Sequence, residues 1–146
     1  VVGKKLEEAG MEVMGNVLSG DDSERVTEAI RQWLDKGAEM VVCTGGMSVD
    51  PDDRTPLAIR NAADTVITYG APVLPGAMFM LAYAGEVPVV GLPGCVMYAK
   101  RTIFDLVLPR IAAGEKLCAE DFCVLGEGGL CLNCPVCTFP NCGFGK

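Results

Sequence analysis

The sequence predicts an α/β domain in three layers, with helices on both faces of a mostly parallel sheet. Short apolar runs alternate with amphipathic stretches at the interval of βα units. Glycine turns follow two of those runs. Half of the 146 residues are hydrophobic, which is enough to build one sizeable core.

The elements follow in order. Residues 4–9 read as the end of a helix that Gly10 closes, and residues 11–18 then read as a strand. Asp21, Asp22 and Ser23 offer N-cap oxygens to a second helix, in which Val26, Ala29, Ile30, Trp33 and Leu34 recur at helical spacing before Gly37 stops it. A buried strand is predicted over residues 39–44. Thr55 as cap and Pro56 at the first helical position start a third helix through about Ala63, and residues 65–69 look extended. Residues 87–92 form another strand that runs into "GLPG". A final long helix carries Met97, Ile103, Phe104, Val107, Leu108 and Ile111 on one face, with Pro109 expected to bend or end it. After Gly114 the pattern stops. Residues 1–114 thus read as the α/β domain and residues 115–146 as a glycine- and cysteine-rich tail.

Composition narrows the chemistry. A formal charge of −7, with no cluster of Lys and Arg, excludes a general nucleic-acid surface. Residues 65–85 are apolar, but Gly70, Pro72, Pro75 and Gly76 interrupt them, so no membrane span is expected. No signal peptide is visible, and a cytoplasmic location is expected. The chain contains no histidine, which removes imidazole catalysis and histidine-zinc sites and leaves carboxylates, Lys, Tyr, Cys and backbone amides. Of eight cysteines, Cys43 and Cys95 lie in apolar elements, where a small packed hydrophobe is the plain reading.

Two loops stand at strand ends, "TGGMSVDPDD" and "GLPGCV". Ligands of open α/β sheets collect outside the carboxyl ends of strands, so both turns point to one cleft. Its glycines let backbone amides approach an anion, although neither turn matches a P-loop. Asp50 reads as solvated and Asp52 as a helix-cap residue. Asp53 stands two residues before Thr55-Pro56, where its carboxylate reaches the rim of the turn and suits Mg²⁺ held against a phosphate.

The segments "CTGGMSVDPDDRTP", "PVLPGAM" and "PVVGLPGCV", in that order and spacing, resemble the molybdopterin-binding domain shared by molybdenum cofactor biosynthesis proteins. The resemblance covers roughly residues 1–114. It implies a three-layer α/β fold, molybdopterin as ligand or substrate, Mg²⁺, and a homo-oligomer of two or three copies. It also implies a first strand, carrying an early acidic residue of the site, that would precede Val1. Two activities compete within the family: adenylyl transfer from ATP to the pterin, and insertion of molybdenum from molybdate with release of AMP. Thr44, Gly45, Gly46, Asp53, Thr55 and Pro56 match the adenylyl-transfer pattern. The short spacing from Gly46 to Pro75, and the loop "GMSVD", resemble the molybdenum-inserting branch. On either branch the resemblance gives Asp53 the Mg²⁺ role, Ser48 a donor role toward pterin or phosphate, and Leu92, Pro93 and Gly94 the opposite wall. The chain departs from the family at Cys95, usually Ser or Asn, and at Gly76-Ala77, usually Gly-Lys. Lys100 or Arg101, expected one turn into the final helix, either replaces that lysine or is a solvated face. A noncatalytic molybdopterin carrier with a sensing tail is the other class of function.

In the tail, Cys131, Cys134, Cys137 and Cys142 are separated by two, two and four residues, which allows four thiolates to meet one ion or cluster. Zinc and a [4Fe–4S] cluster would use the same four residues, and disulfides are the alternative that a reducing compartment disfavours. The last gap and Pro135 depart from the bacterial ferredoxin run.

Overall fold

A computed structural model describes residues 1–146. Five α-helices and four strands are present: α1 Val2–Glu8, α2 Ser23–Asp35, β1 Val41–Thr44, α3 Thr55–Ala62, β2 Thr65–Tyr69, β3 Met80–Ala84, β4 Val87–Leu92, α4 Ile103–Ala112 and α5 Ala119–Cys123. Short 3₁₀ turns lie at Gly94–Met97 and Val124–Gly126. No helix is long and apolar enough to cross a membrane.

The sheet order is β1-β4-β3-β2. Only β1 and β4 pair in parallel; β4 with β3 and β3 with β2 are antiparallel. The α/β layering is therefore as expected, but the sheet is mixed. The physical reason is the turn at Gly85-Glu86, which folds β3 directly back onto β4 as a hairpin. Gly85, at φ +60°, supplies the left-handed conformation that such two-residue connections need. Met80 and Ala82 of β3, with Val89 of β4, pack on one face against Ile30 of α2 and Ile59 of α3. Leu81 and Tyr83, with Val90 and Leu92, pack on the other against Phe104, Val107 and Leu108 of α4. Strand alternation sends consecutive side chains to two cores.

Several boundaries differ from expectation. Residues 11–18 form no strand: they find no pairing partner, and Val13, Met14, Val17 and Leu18 stay exposed. The long final helix is two pieces, because Lys100 and Arg101 lie in an irregular stretch before Thr102 caps α4. Thr102 accepts the Phe104 N–H while Asp105 accepts the Thr102 N–H, a reciprocal capping box. Pro109 lies inside α4 and does not end it. Thr55 is the first residue of α3 rather than its cap.

The carboxylate of Asp105 is buried and also ties the layers together. It accepts from Lys5 Nζ of α1 at 2.7 Å and from Arg101 at 2.9 Å. The tail joins the same body. Leu117, Phe122 and Phe144 belong to the α4-side core, the Phe79 and Phe122 rings lie 5.7 Å apart, and Tyr83 Oη accepts the Leu117 N–H at 3.0 Å.

Candidate functional site

The two glycine loops leave the sheet side by side, because parallel pairing sets Thr44 opposite Leu92. The loop after β1 turns through Gly45 and Gly46, both left-handed at φ +82° and +60°. A Cβ on Gly46 would stand 2.6 Å from Thr55 Oγ1, so only glycine lets α3 start this close to the turn. Thr55 Oγ1 instead donates to the Gly45 carbonyl at 2.8 Å, fastening the turn to α3. Met47 is buried beneath the loop, against the bare backbone of Gly91, where a Cβ would meet its Sδ at 2.6 Å. This Met47–Gly91 lock holds the loop on β4. It was not among the expected site residues, and nothing local in the sequence signals it.

The surface above the lock is polar and open. Thr44, Gly45, Ser48 and Gly94 are exposed, and Pro93 is half-buried. The acids separate clearly. Asp50 accepts the Asp52 N–H at 3.3 Å and, through its carbonyl, the Asp53 N–H at 2.9 Å, so it shapes the turn. Asp52 is exposed and caps no helix, contrary to its expected role, because α3 begins at Thr55 after Arg54. Asp53 is half-buried, and its Oδ2 is enclosed without any hydrogen-bond partner. A buried carboxylate oxygen left bare costs about 1–3 kcal/mol or more, so this atom fits a site made for a cation. Arg54 beside it is exposed and adds a positive charge to the rim, a residue not among those expected at the site.

Neither cation considered as a replacement for the missing lysine faces this surface. Lys100 Nζ donates to the carbonyls of Cys134 and Pro135 at 3.2 and 3.3 Å, and Arg101 donates to Asp105. Cys95 is half-buried, and burial pushes its thiol above its ordinary value, in keeping with packing rather than chemistry.

All eight cysteines are free thiols. Cys131, Cys134, Cys137 and Cys142 line one cavity of about 250 Å³, together with Lys100 and Arg101. No three of the chain's Cys, Asp and Glu side chains converge closely enough to hold a single metal ion. The tail is strapped to the loop before β3: Leu74 donates to Gly129 at 2.7 Å, and Cys131 donates back to Leu74 at 2.8 Å.

Known proteins share both sequence and fold with this chain. A 70-residue stretch is 34% identical to a CinA-like protein of Solibacter usitatus (strain Ellin6076), covering 48% of this chain and 17% of that protein's length. The fold is similar to that of the molybdopterin biosynthesis enzyme MoaB from Thermus thermophilus, with a TM-score of 0.64 at 23% identity, over 78% of this chain and 82% of the other. The model of the family described as "Probable molybdopterin binding domain" matches residues 1–113, the span that holds the sheet, the Met47–Gly91 lock and both glycine loops. On that match the chain belongs to the molybdopterin-binding domain family.

Proposed function

We propose that the chain binds molybdopterin between the loops after β1 and β4 and serves molybdenum cofactor biosynthesis, by molybdenum insertion or adenylyl transfer. The observation that carries this reading is the partnerless, buried Oδ2 of Asp53 at the rim of a glycine turn. The backbone amides of that turn, with Ser48 and the exposed Arg54, would receive the pterin phosphate. Asp53 would hold Mg²⁺, which supplies charge neutralisation at a phosphoryl group. Thr55 keeps the turn in shape through Gly45, so its part is positioning.

The test is turnover by the full-length protein. Molybdopterin with ATP and Mg²⁺ gives adenylated pterin if adenylyl transfer is the reaction; adenylated pterin with molybdate gives AMP release if insertion is. Asp53→Asn should lower either rate on the order of 10²-fold, equivalent to about 2.7 kcal/mol of transition-state stabilisation. Unchanged turnover in that variant rules out the metal role.

A noncatalytic carrier is the second reading, favoured by one observation: Lys100 and Arg101 are committed to the tail and to Asp105 rather than to the cleft. Pterin binding without turnover under both conditions would select it.

A further inference from the structure

We propose that Cys131, Cys134, Cys137 and Cys142 hold a [4Fe–4S] cluster in the cavity that the tail closes against Lys100 and Arg101. Spacing alone leaves zinc, a cluster and disulfides open; the placement of the thiols separates them. All four line one cavity of about 250 Å³, and none is paired in a disulfide. They also do not gather at a point, since no three of them are positioned for a single ion. Zinc bound by four thiolates needs every sulfur about 2.3 Å from one centre, hence about 3.8 Å from one another. A cubane presents one iron at each of four separate corners. Its ligands therefore surround a volume, as these do.

The walls suit the cluster's charge. Four thiolates on a [4Fe–4S] core leave a net negative assembly, which neighbouring cations and N–H groups stabilise. The Arg101 guanidinium lies beside the Cys137 thiol, and its buried Nε has no partner in the fold. Lys100 adds a second positive charge while it fixes the Cys134–Pro135 backbone. Leu130, Leu132, Phe139 and Phe144 form the apolar remainder of the wall, with Phe144 buried and Leu130 and Leu132 exposed to solvent. Asn133, left-handed at φ +50°, bends the chain between the first two cysteines so that both reach the cavity. Cys118 and Cys123 lie outside it and are not ligands.

The test is anaerobic isolation of the full chain, reconstitution with equal amounts of ferrous and ferric iron and with sulfide, and measurement of iron, acid-labile sulfide and zinc. About four irons and four sulfides per chain are expected, with the paramagnetic signal of a reduced [4Fe–4S] cluster after dithionite treatment. Cys134→Ser and Cys137→Ser change exposed residues, so their helical circular dichroism should match the parent while cluster content falls at least severalfold. Cys118→Ser and Cys123→Ser should keep full content. Stoichiometric zinc without sulfide, stable disulfides among the four cysteines, or undiminished cluster in the Cys134 and Cys137 variants would each overturn the proposal.

Discussion

Replacing Asp105 by alanine should cost more stability than any single surface change in this protein. The carboxylate is almost wholly enclosed, and it accepts from Lys5 at 2.7 Å, from Arg101 at 2.9 Å and from the Thr102 backbone N–H at 2.8 Å. Removing one partner of a buried ion pair costs about 3–5 kcal/mol, because the other charge is left desolvated. The Arg101 side chain is 34% exposed and can recover water, whereas that of Lys5 is only 13% exposed. The loss therefore falls chiefly on Lys5 and on the α4 cap, and about 3–4 kcal/mol is expected. For a domain of this size that is roughly a 10 °C drop in Tm. Urea denaturation followed by far-UV circular dichroism, with an unchanged slope on denaturant, measures it directly. Asp105→Asn keeps an acceptor for the cap and should lose less. Adding Lys5→Met to Asp105→Ala removes the stranded ammonium and should restore part of the loss. A destabilisation below about 1 kcal/mol, or no recovery in the double variant, would refute the desolvation argument.

Three further outcomes are expected. Gly46→Ala should destabilise by about 2 kcal/mol, combining the left-handed backbone with the clash at Thr55 Oγ1; Gly45→Ala, whose Cβ meets open space, should cost only about 1 kcal/mol. Equal losses in urea titrations would mean that the Thr55 contact contributes nothing. The Cys118 backbone N–H and then the Arg110 guanidinium hold Asp121 down at about 2. With a folded value below the unfolded one of about 3.9, its stabilisation is present above about pH 4 and is lost as the pH falls toward 2. Asp121→Asn should flatten that part of the acid-denaturation profile, and superimposable profiles would count against it. Burial pushes the Cys43 thiol up to about 12, so iodoacetamide at about pH 8 should label the exposed Cys123, Cys134 and Cys137 of the metal-free, reduced protein well before Cys43. Mass mapping that finds Cys43 labelled equally fast would contradict that environment.

Elements governed by local chemistry were legible in the sequence. Asp22 does accept the Glu24 N–H to start α2, Gly37 does turn left-handed at its end, and Pro56 lies in the first turn of α3. The pairing of both glycine loops at adjacent strand ends followed from the same reading. Strand β3 did not, because its residues are buried on both faces and show no alternation to betray it. The Gly85-Glu86 turn was the available signal for its hairpin and for the antiparallel half of the sheet. Residues 11–18 carry apolar residues suited to a strand, yet pairing depends on a distant partner that no local pattern reports. At the site, the place of Asp53 beside the turn was readable, but its bare oxygen and the Met47–Gly91 lock depend on contacts between remote segments.

The family and the folding unit do not end at the same residue. The family match stops at 113, but Leu117, Phe122 and Phe144 complete the core over Phe79 and Val73. Each buried side chain of that kind contributes about 1.5–3 kcal/mol, so together they rival the whole net stability of an ordinary domain, about 5–15 kcal/mol. Cutting the chain where the family ends would leave an apolar wound on the α4 face, and such a fragment should clump or be degraded instead of folding. Whatever the cysteine segment binds, it has become part of the molecule's keel rather than a passenger.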